Sequence, residues 1–344
     1  LESLPKRNTH VPDTGYLWLR TRTARGPRAL SINYIMQWDR SELDRLHVSL
    51  FAPHRATHEV GRISYGSQFA SMMYATLGHQ TVVVNRQNQA PNPSILAAFL
   101  DRAELPAALI VENPASPLYP GFDSARAVAL LDDVFFIGDL YHAQEGGAHV
   151  FDWPFYGPWR PGEPDVQSGL PRFPLPLAPL DEPLGDATDP GYRFLTDAEG
   201  IRSDAALTVT FDIARHRDRP AARHYVHFAP MDDALFVRAR VPRGYRPKPG
   251  PVLLVRQDRR ATATWGVAID VAEPDHDSAV RAIRRTDVTQ EGTRLSLNQA
   301  VAWEVETRTG RYRVVINRTG TRVRAGELET DQPLAVERIE SDSP

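Results

Sequence analysis

The sequence contains no cysteine. Disulfides, thiolate-ligated zinc, iron–sulfur clusters and thiol nucleophiles are therefore excluded, while the absence suits cytoplasm, periplasm or secretion alike. No apolar run approaches the roughly 20 residues that span a bilayer, and with a mean hydropathy of -0.39 no membrane partner is expected. A basic excess is missing too. Forty Lys and Arg stand against 43 Asp and Glu, a net charge of -3, which leaves no broad cationic face for a phosphate backbone, so nucleic acid is not an expected partner. Lysine itself is scarce: Lys6 and Lys248 are the two, and the other 38 basic residues are arginine. Arginine's planar fork suits carboxylate or sulfate recognition, although genomic base composition is the plainer source of such a bias. The chain opens Leu1-Glu2-Ser3-Leu4 with no methionine and no charged-then-apolar leader, so it reads as a mature or excised piece of something longer.

What is present is β-periodicity. Alternating or β-branched and aromatic runs bounded by Gly, Pro and Asp far outnumber any 3.6-residue stripe. They fall at residues 15–22, 29–38, 46–52, 81–85, 107–113, 128–131, 135–142 and 148–155, then at 207–213, 223–228, 234–241, 252–256, 261–271, 300–307 and 311–317. Arg308-Thr309-Gly310 between the last two reads as a short hairpin turn. One helix candidate, Ser94 to Leu105 between Pro93 and Pro106, is equally readable as a strand with a loop. Ten of the 29 prolines lie from Pro154 to Pro190, which bars that stretch from a central strand and marks a long connection or edge. The expectation is an all-β chain. An antiparallel super-β-sandwich over 1–190, including the connection 154–190, precedes a smaller antiparallel β-sandwich or sheet domain over 191–344.

The eleven histidines form no His-Glu-x-x-His or comparable pair. The densest polar group is Asp39, Arg40, Glu42, Asp44, His47, His54, His58, Glu59 and then His79. Glu42 and Asp44 would share one strand face, where two carboxylates repel unless a cation or arginine lies between them. His79 precedes the run Thr81-Val82-Val83-Val84, at a strand terminus that presents side chains at a sheet rim. His149, Asp152 and Trp153 admit two readings: an aromatic stacking on a sugar ring beside polar groups, or a strand with Phe151 and Trp153 packed inward. Trp38 and Trp159, flanked by charge and proline, are further platform candidates.

Tyr65-Gly66-Ser67, followed by Gly78-His79-Gln80-Thr81-Val82-Val83-Val84 and Gln87, resembles the signature of heparinase II/III-like polysaccharide lyases. Gly15 to Arg20, Leu46 to Ala52 with Glu59-Val60-Gly61, Tyr119-Pro120-Gly121, Leu131 to Ile137, His149 to Trp153 and Pro251 to Arg256 follow the family's order, covering most of residues 13 to 317. The resemblance implies a β-sandwich that packs against an N-terminal α-helical toroid, missing from this chain, and β-elimination on acidic, uronate-containing polysaccharide. Such an elimination needs the carboxylate neutralised, a base to take the neighbouring proton, and an acid for the leaving oxygen.

The family's tyrosine base lies in the toroid, so the chain alone is expected to be inactive. Its sandwich supplies a His-x-His-x-Asp stretch, a turn Asp and a histidine before the valine strand. Here these positions read Arg40, Glu42 and Asp44, then Glu59, then His79. Arg40 is thus a candidate for carboxylate neutralisation, and His149, Trp153, Trp38 and Trp159 for substrate contact. Glu42, Glu59 and His79 are candidates for a structural zinc or harder divalent cation, unless Arg40 or Arg62 bridges the glutamates instead. Export to the periplasm or beyond follows from the resemblance alone. The competing reading is a non-catalytic carbohydrate-binding or structural β-sandwich.

Overall fold

A computed structural model describes residues 7–35, 45–53, 55–57, 63, 66–157, 170–213, 221–244 and 246–339. Within them the chain is a stack of antiparallel sheets, as its periodicity demands. The first five strands, Thr9–Val11, Tyr16–Thr23, Gly26–Asn33, Val48–Ala52 and Arg55–Ala56, make a meander in chain order. An eight-stranded sheet runs in the order Pro171–Arg172, Leu207–Ile213, Ala222–Phe228, Thr262–Ala272, Val134–Ala143, Phe122–Leu131, Ala107–Glu112, Ser94–Leu100. A six-stranded sheet runs Ala178–Pro179, Thr196–Ser203, Ala234–Arg243, Lys248–Arg260, His149–Phe155, Val83–Val84. Two four-stranded sheets built from residues 280–339 complete the chain. Among the described residues no helix is long and apolar enough to cross a membrane.

Alternation along each strand decides what the sheets bury. Phe135, Ile137 and Tyr141 point into the main core, where they meet Trp153, Phe155, Phe228, Phe236 and Trp265 with Leu19, Ile32 and Leu50 of the meander. The intervening Phe136 and Leu140 join Ala125, Ala127, Ala129 and Ala268 on the other face, against Trp303, Val305, Val314 and Val336 of the C-terminal unit. Both faces of the eight-stranded sheet are therefore covered, which is why its central strands read as nearly continuous apolar runs.

Strands Leu207–Ile213, Ala300–Thr307 and Arg311–Asn317 fall where the periodicity puts them, and the last two close through Thr307 N–H to the Gly310 carbonyl at 2.8 Å. Among its described residues the proline-rich connection adds two two-residue strands, Pro171–Arg172 and Ala178–Pro179, and each lies at a sheet edge where a missing ladder donor costs nothing. The stretch left open between helix and strand is a strand. Ser94–Leu100 is an edge strand, and a register shift between Leu96 and Ala98 breaks its alternation, which is what imitates helical spacing. The boundary near residue 190 does not divide the sheets: Val134–Ala143 pairs with Thr262–Ala272, and His149–Phe155 with Lys248–Arg260, across it. The strands from Val280 to Ile339 pair only among themselves.

The seam between sandwich and C-terminal unit turns on a glycine pair. Gly138 and Gly266 face each other across adjacent strands, and the Trp303 indole lies over both. A Cβ on Gly266 would stand 2.2 Å from Trp303 Cδ1. Gly266→Ala is therefore expected to cost about 1–3 kcal/mol by overpacking, read from urea unfolding. Gly66→Ala, with no atom within 4 Å of the new Cβ, is the control and should change stability little. Equal behaviour of the two would remove the seam argument.

Candidate functional site

The histidine-bearing segment is assembled by short-range geometry. After the one-turn helix Ala70–Tyr74 and the 3-10 turn Thr76–Gly78, the chain is extended at His79. Met72, Met73 and Leu77 bury against Val237, Ala239 and Leu254 on the outer face of the six-stranded sheet. Asn88 accepts the Thr76 N–H at 2.9 Å and the Thr76 hydroxyl accepts the Gln89 N–H at 2.8 Å, so the turn is held from both sides. His79 is left buried, with Nε2 donating to the Met73 carbonyl at 3.1 Å. Its ring stands edge-on to His47, centroids 6.0 Å apart. His47 accepts the Gln80 N–H on Nδ1 at 3.0 Å, and its Nε2–H faces the Ser49 hydroxyl at 3.0 Å. The pairing of His47 with His79 was not foreseen, because it depends on the meander reaching across 32 residues to this turn.

Behind the histidines lies a fully buried ion pair. Arg126 and Asp139 are cross-strand partners with both side chains at 0% exposure, bridged by Nε to Oδ1 at 2.6 Å and Nη2 to Oδ2 at 2.8 Å. Trp153 Nε1 donates to the same carboxylate at 2.9 Å. Arg126 Nη1 donates to the carbonyls of Gln80, at 2.7 Å, and Leu46. Burial alone would push this guanidinium down, and the Asp139 carboxylate more than reverses that, so the net shift is upward.

The predicted residues fare differently. Trp153 is 1% exposed, stacked on Phe155 and edge-on to Phe228, so it is a core residue with no face to offer a sugar. His149 commits both ring nitrogens to a turn: Nε2 donates to the Gly146 carbonyl at 2.8 Å and Nδ1 accepts from Asn85 at 3.1 Å. Both side chains are thus engaged within the fold. Trp38, Arg40, Glu42, Asp44, Glu59, Arg62 and Trp159 lie outside the described residues, and among the described residues no three His, Asp or Glu gather as a metal cluster. Asp152 forms a second buried pair, with Arg256 at 2.8 and 2.9 Å, and takes the Tyr192 hydroxyl. Arg256 also donates to the Leu184 carbonyl at 2.6 Å, tying the proline-rich connection to the sheet.

One ionisable group escaped the sequence. Glu112 pairs across strands with Ser94, in the row beside the Ser124–Tyr141 pair, and is 6% exposed. Burial, reinforced by the Asp123 carboxylate and opposed by Arg318, pushes its carboxyl up to about 8.

No family model matches the chain, and no curated protein does. Solved structures do. A protein described as "Heparinase III-BT4657 gene product" superposes over 98% of this chain and 43% of its own, with TM-score 0.58 and 10% identity. The heparan sulfate lyase HepC from Pedobacter heparinus covers 91% of this chain and 43% of its own, at TM-score 0.56 and 11% identity. A further heparinase III covers 95% and 42%, at TM-score 0.52 and 11% identity. The chain has the fold of part of a heparinase III. It spans less than half the length of these proteins. On this heparinase-like sandwich the buried pair at Arg126 and Asp139 lies inside the fold, where it positions the turn of His79 rather than facing a ligand.

The raised Glu112 carboxyl makes stability depend on pH with a definite sign. Its folded value of about 8 exceeds the ordinary 4.5. As pH rises from about 4.5 to about 8 the unfolded chain releases a proton that the folded chain keeps, so stability falls across that window. Glu112→Gln is expected to flatten the decline, by up to a few kcal/mol near pH 8, in urea titrations at pH 5 and 8. Parallel curves for the two proteins would show that Glu112 is not the group responsible.

Proposed function

We propose that the chain is the β-sandwich part of a polysaccharide lyase that cleaves uronate-containing polysaccharide by β-elimination, in concert with a helical toroid that carries the base. The observation that supports it most is the superposition over 91 to 98% of this chain on heparinase III and heparan sulfate lyase structures, with 43% or less of their length accounted for. In this reading Arg40, where the lyase pattern has a histidine, neutralises the substrate carboxylate by bidentate pairing. His79, with Nε2 donating to a backbone carbonyl as in the orienting bond of many metal-ligating imidazoles, is the nitrogen donor, and Glu42 and Glu59 supply the oxygen donors. The ion's contribution is structural. Secretion or a periplasmic location accords with such a substrate.

The test is the longer parent protein with heparan sulfate, chondroitin and alginate, followed by the ultraviolet absorbance of the unsaturated product. Turnover on one of them, with none from the isolated chain, is expected. Silence of the parent on all three counts decisively against the reading and favours a carbohydrate-binding or structural module. Elemental analysis of the same preparation should find about one divalent ion per chain, lost in His79→Ala; no stoichiometric metal would sink the metal assignment.

A further inference from the structure

A cavity of about 460 Å³ opens where the Ala24–Arg25 turn of the meander, the Leu131–Val134 turn, the end of strand Thr262–Ala272 and the Thr307–Thr309 hairpin converge. It shares no residue with the histidine segment, and its size is that of a small-ligand site. Arg28 lines it with a side chain 2% exposed. This guanidinium is poorly matched. Its Nε has no hydrogen-bond partner among the described residues, and Nη1 reaches the peptide oxygens of Arg25 and Pro27 only at 3.3 and 3.5 Å. Nη2 stands 3.7 Å from Asp133 Oδ1, an oxygen that already takes the Thr23 hydroxyl. Burial lowers its proton affinity despite Asp133. Its neighbour Arg25 differs, with Asp270 at 2.9 Å and the Val271 carbonyl at 2.8 Å. A buried charge short of partners is costly, and here it borders a space that a ligand can fill.

The rest of the lining defines what fits. Arg308 and His276 at the rim lie near Asp277 and Glu273, at 3.7 and 3.5 Å. With Asp133, these acids make a highly charged anion unfavourable and offer acceptors for hydroxyl groups. Ala52, Pro53, Ala222 and Val271 give an apolar wall. One carboxylate for Arg28, several hydroxyls for the acids and a C–H face for the wall describe a single sugar acid. We propose that this cavity binds one unsulfated uronate residue of an oligosaccharide, apart from the histidine segment. The carboxylate in this assignment rests on Arg28, and the sugar rests on the lyase reading above.

The experiment titrates the full chain with glucuronate, glucose and acetate by calorimetry and by chemical-shift perturbation. Saturable 1:1 binding of glucuronate, at least tenfold tighter than glucose or acetate, is expected. Arg28→Met should weaken it at least tenfold. Ala24→Glu, an exposed substitution at the mouth that leaves the fold intact, should weaken glucuronate severalfold and leave glucose unchanged. Glucuronate binding no tighter than glucose, or unmoved by both variants, overturns the proposal, and acetate binding as tightly removes the sugar and overturns the uronate assignment. Glucuronate binding that persists while the parent protein is silent on all three polymers upholds this cavity and removes only the lyase reading.

Discussion

The interaction on which the candidate site depends is the buried bridge between Arg126 and Asp139. Each ion is taken wholly out of water, at a cost of several kcal/mol that only good geometry and further hydrogen bonds offset. Both conditions hold: the fork is bidentate, Trp153 caps one carboxylate oxygen, and the guanidinium's Nη1 donates to the carbonyls of Gln80 and Leu46. Those two carbonyls belong to the residues next to His79 and His47. The meander and the turn are thus fixed to the eight-stranded sheet by one side chain, and the relative placement of the two imidazoles is inherited from it. An apolar pair of the same volume could match the stability but not the register, because it would leave those carbonyls without donors.

The same sheet meets its second obligation on the opposite face. There the strands present small residues, Ala125, Ala127, Ala129, Gly138, Gly266 and Ala268, and the C-terminal unit answers with Trp303, Tyr312 and Val314. Small residues set opposite the bulky rings of the C-terminal unit let one layer serve two cores. This division places the glycine pair directly beneath the bulkiest ring.

The all-β class and most strand positions were legible because burial on one or two faces imprints alternation or continuous apolar runs on the sequence. The break at residue 190 was not, since composition marks a proline-rich connection but cannot say that the chain returns to the same two sheets. His149 and Trp153 looked like ligands for a related reason. A histidine closing a turn onto Asn85, and an indole donating into a buried carboxylate, use the residue types that sugar sites use. Only the partners distinguish them. Glu112 was invisible because nothing in a local run distinguishes a carboxylate turned into the core from one turned to solvent.

Three buried arginines show how partners separate scaffold from site. Arg126 and Arg256 each grip a carboxylate with two nitrogens within 2.9 Å and then a backbone carbonyl, and both have raised proton affinity, the mark of a charge over-compensated by the fold. Arg28 is as deeply placed, yet its carboxylate is 3.7 Å away, its Nε is unmet among the described residues, and its affinity is lowered. If burial served only packing, an apolar side chain at position 28 would avoid that cost. A cation kept under-compensated at the wall of a cavity is instead what an anion-recognising surface requires, because the free energy withheld from the folded chain is available to the carboxylate that enters.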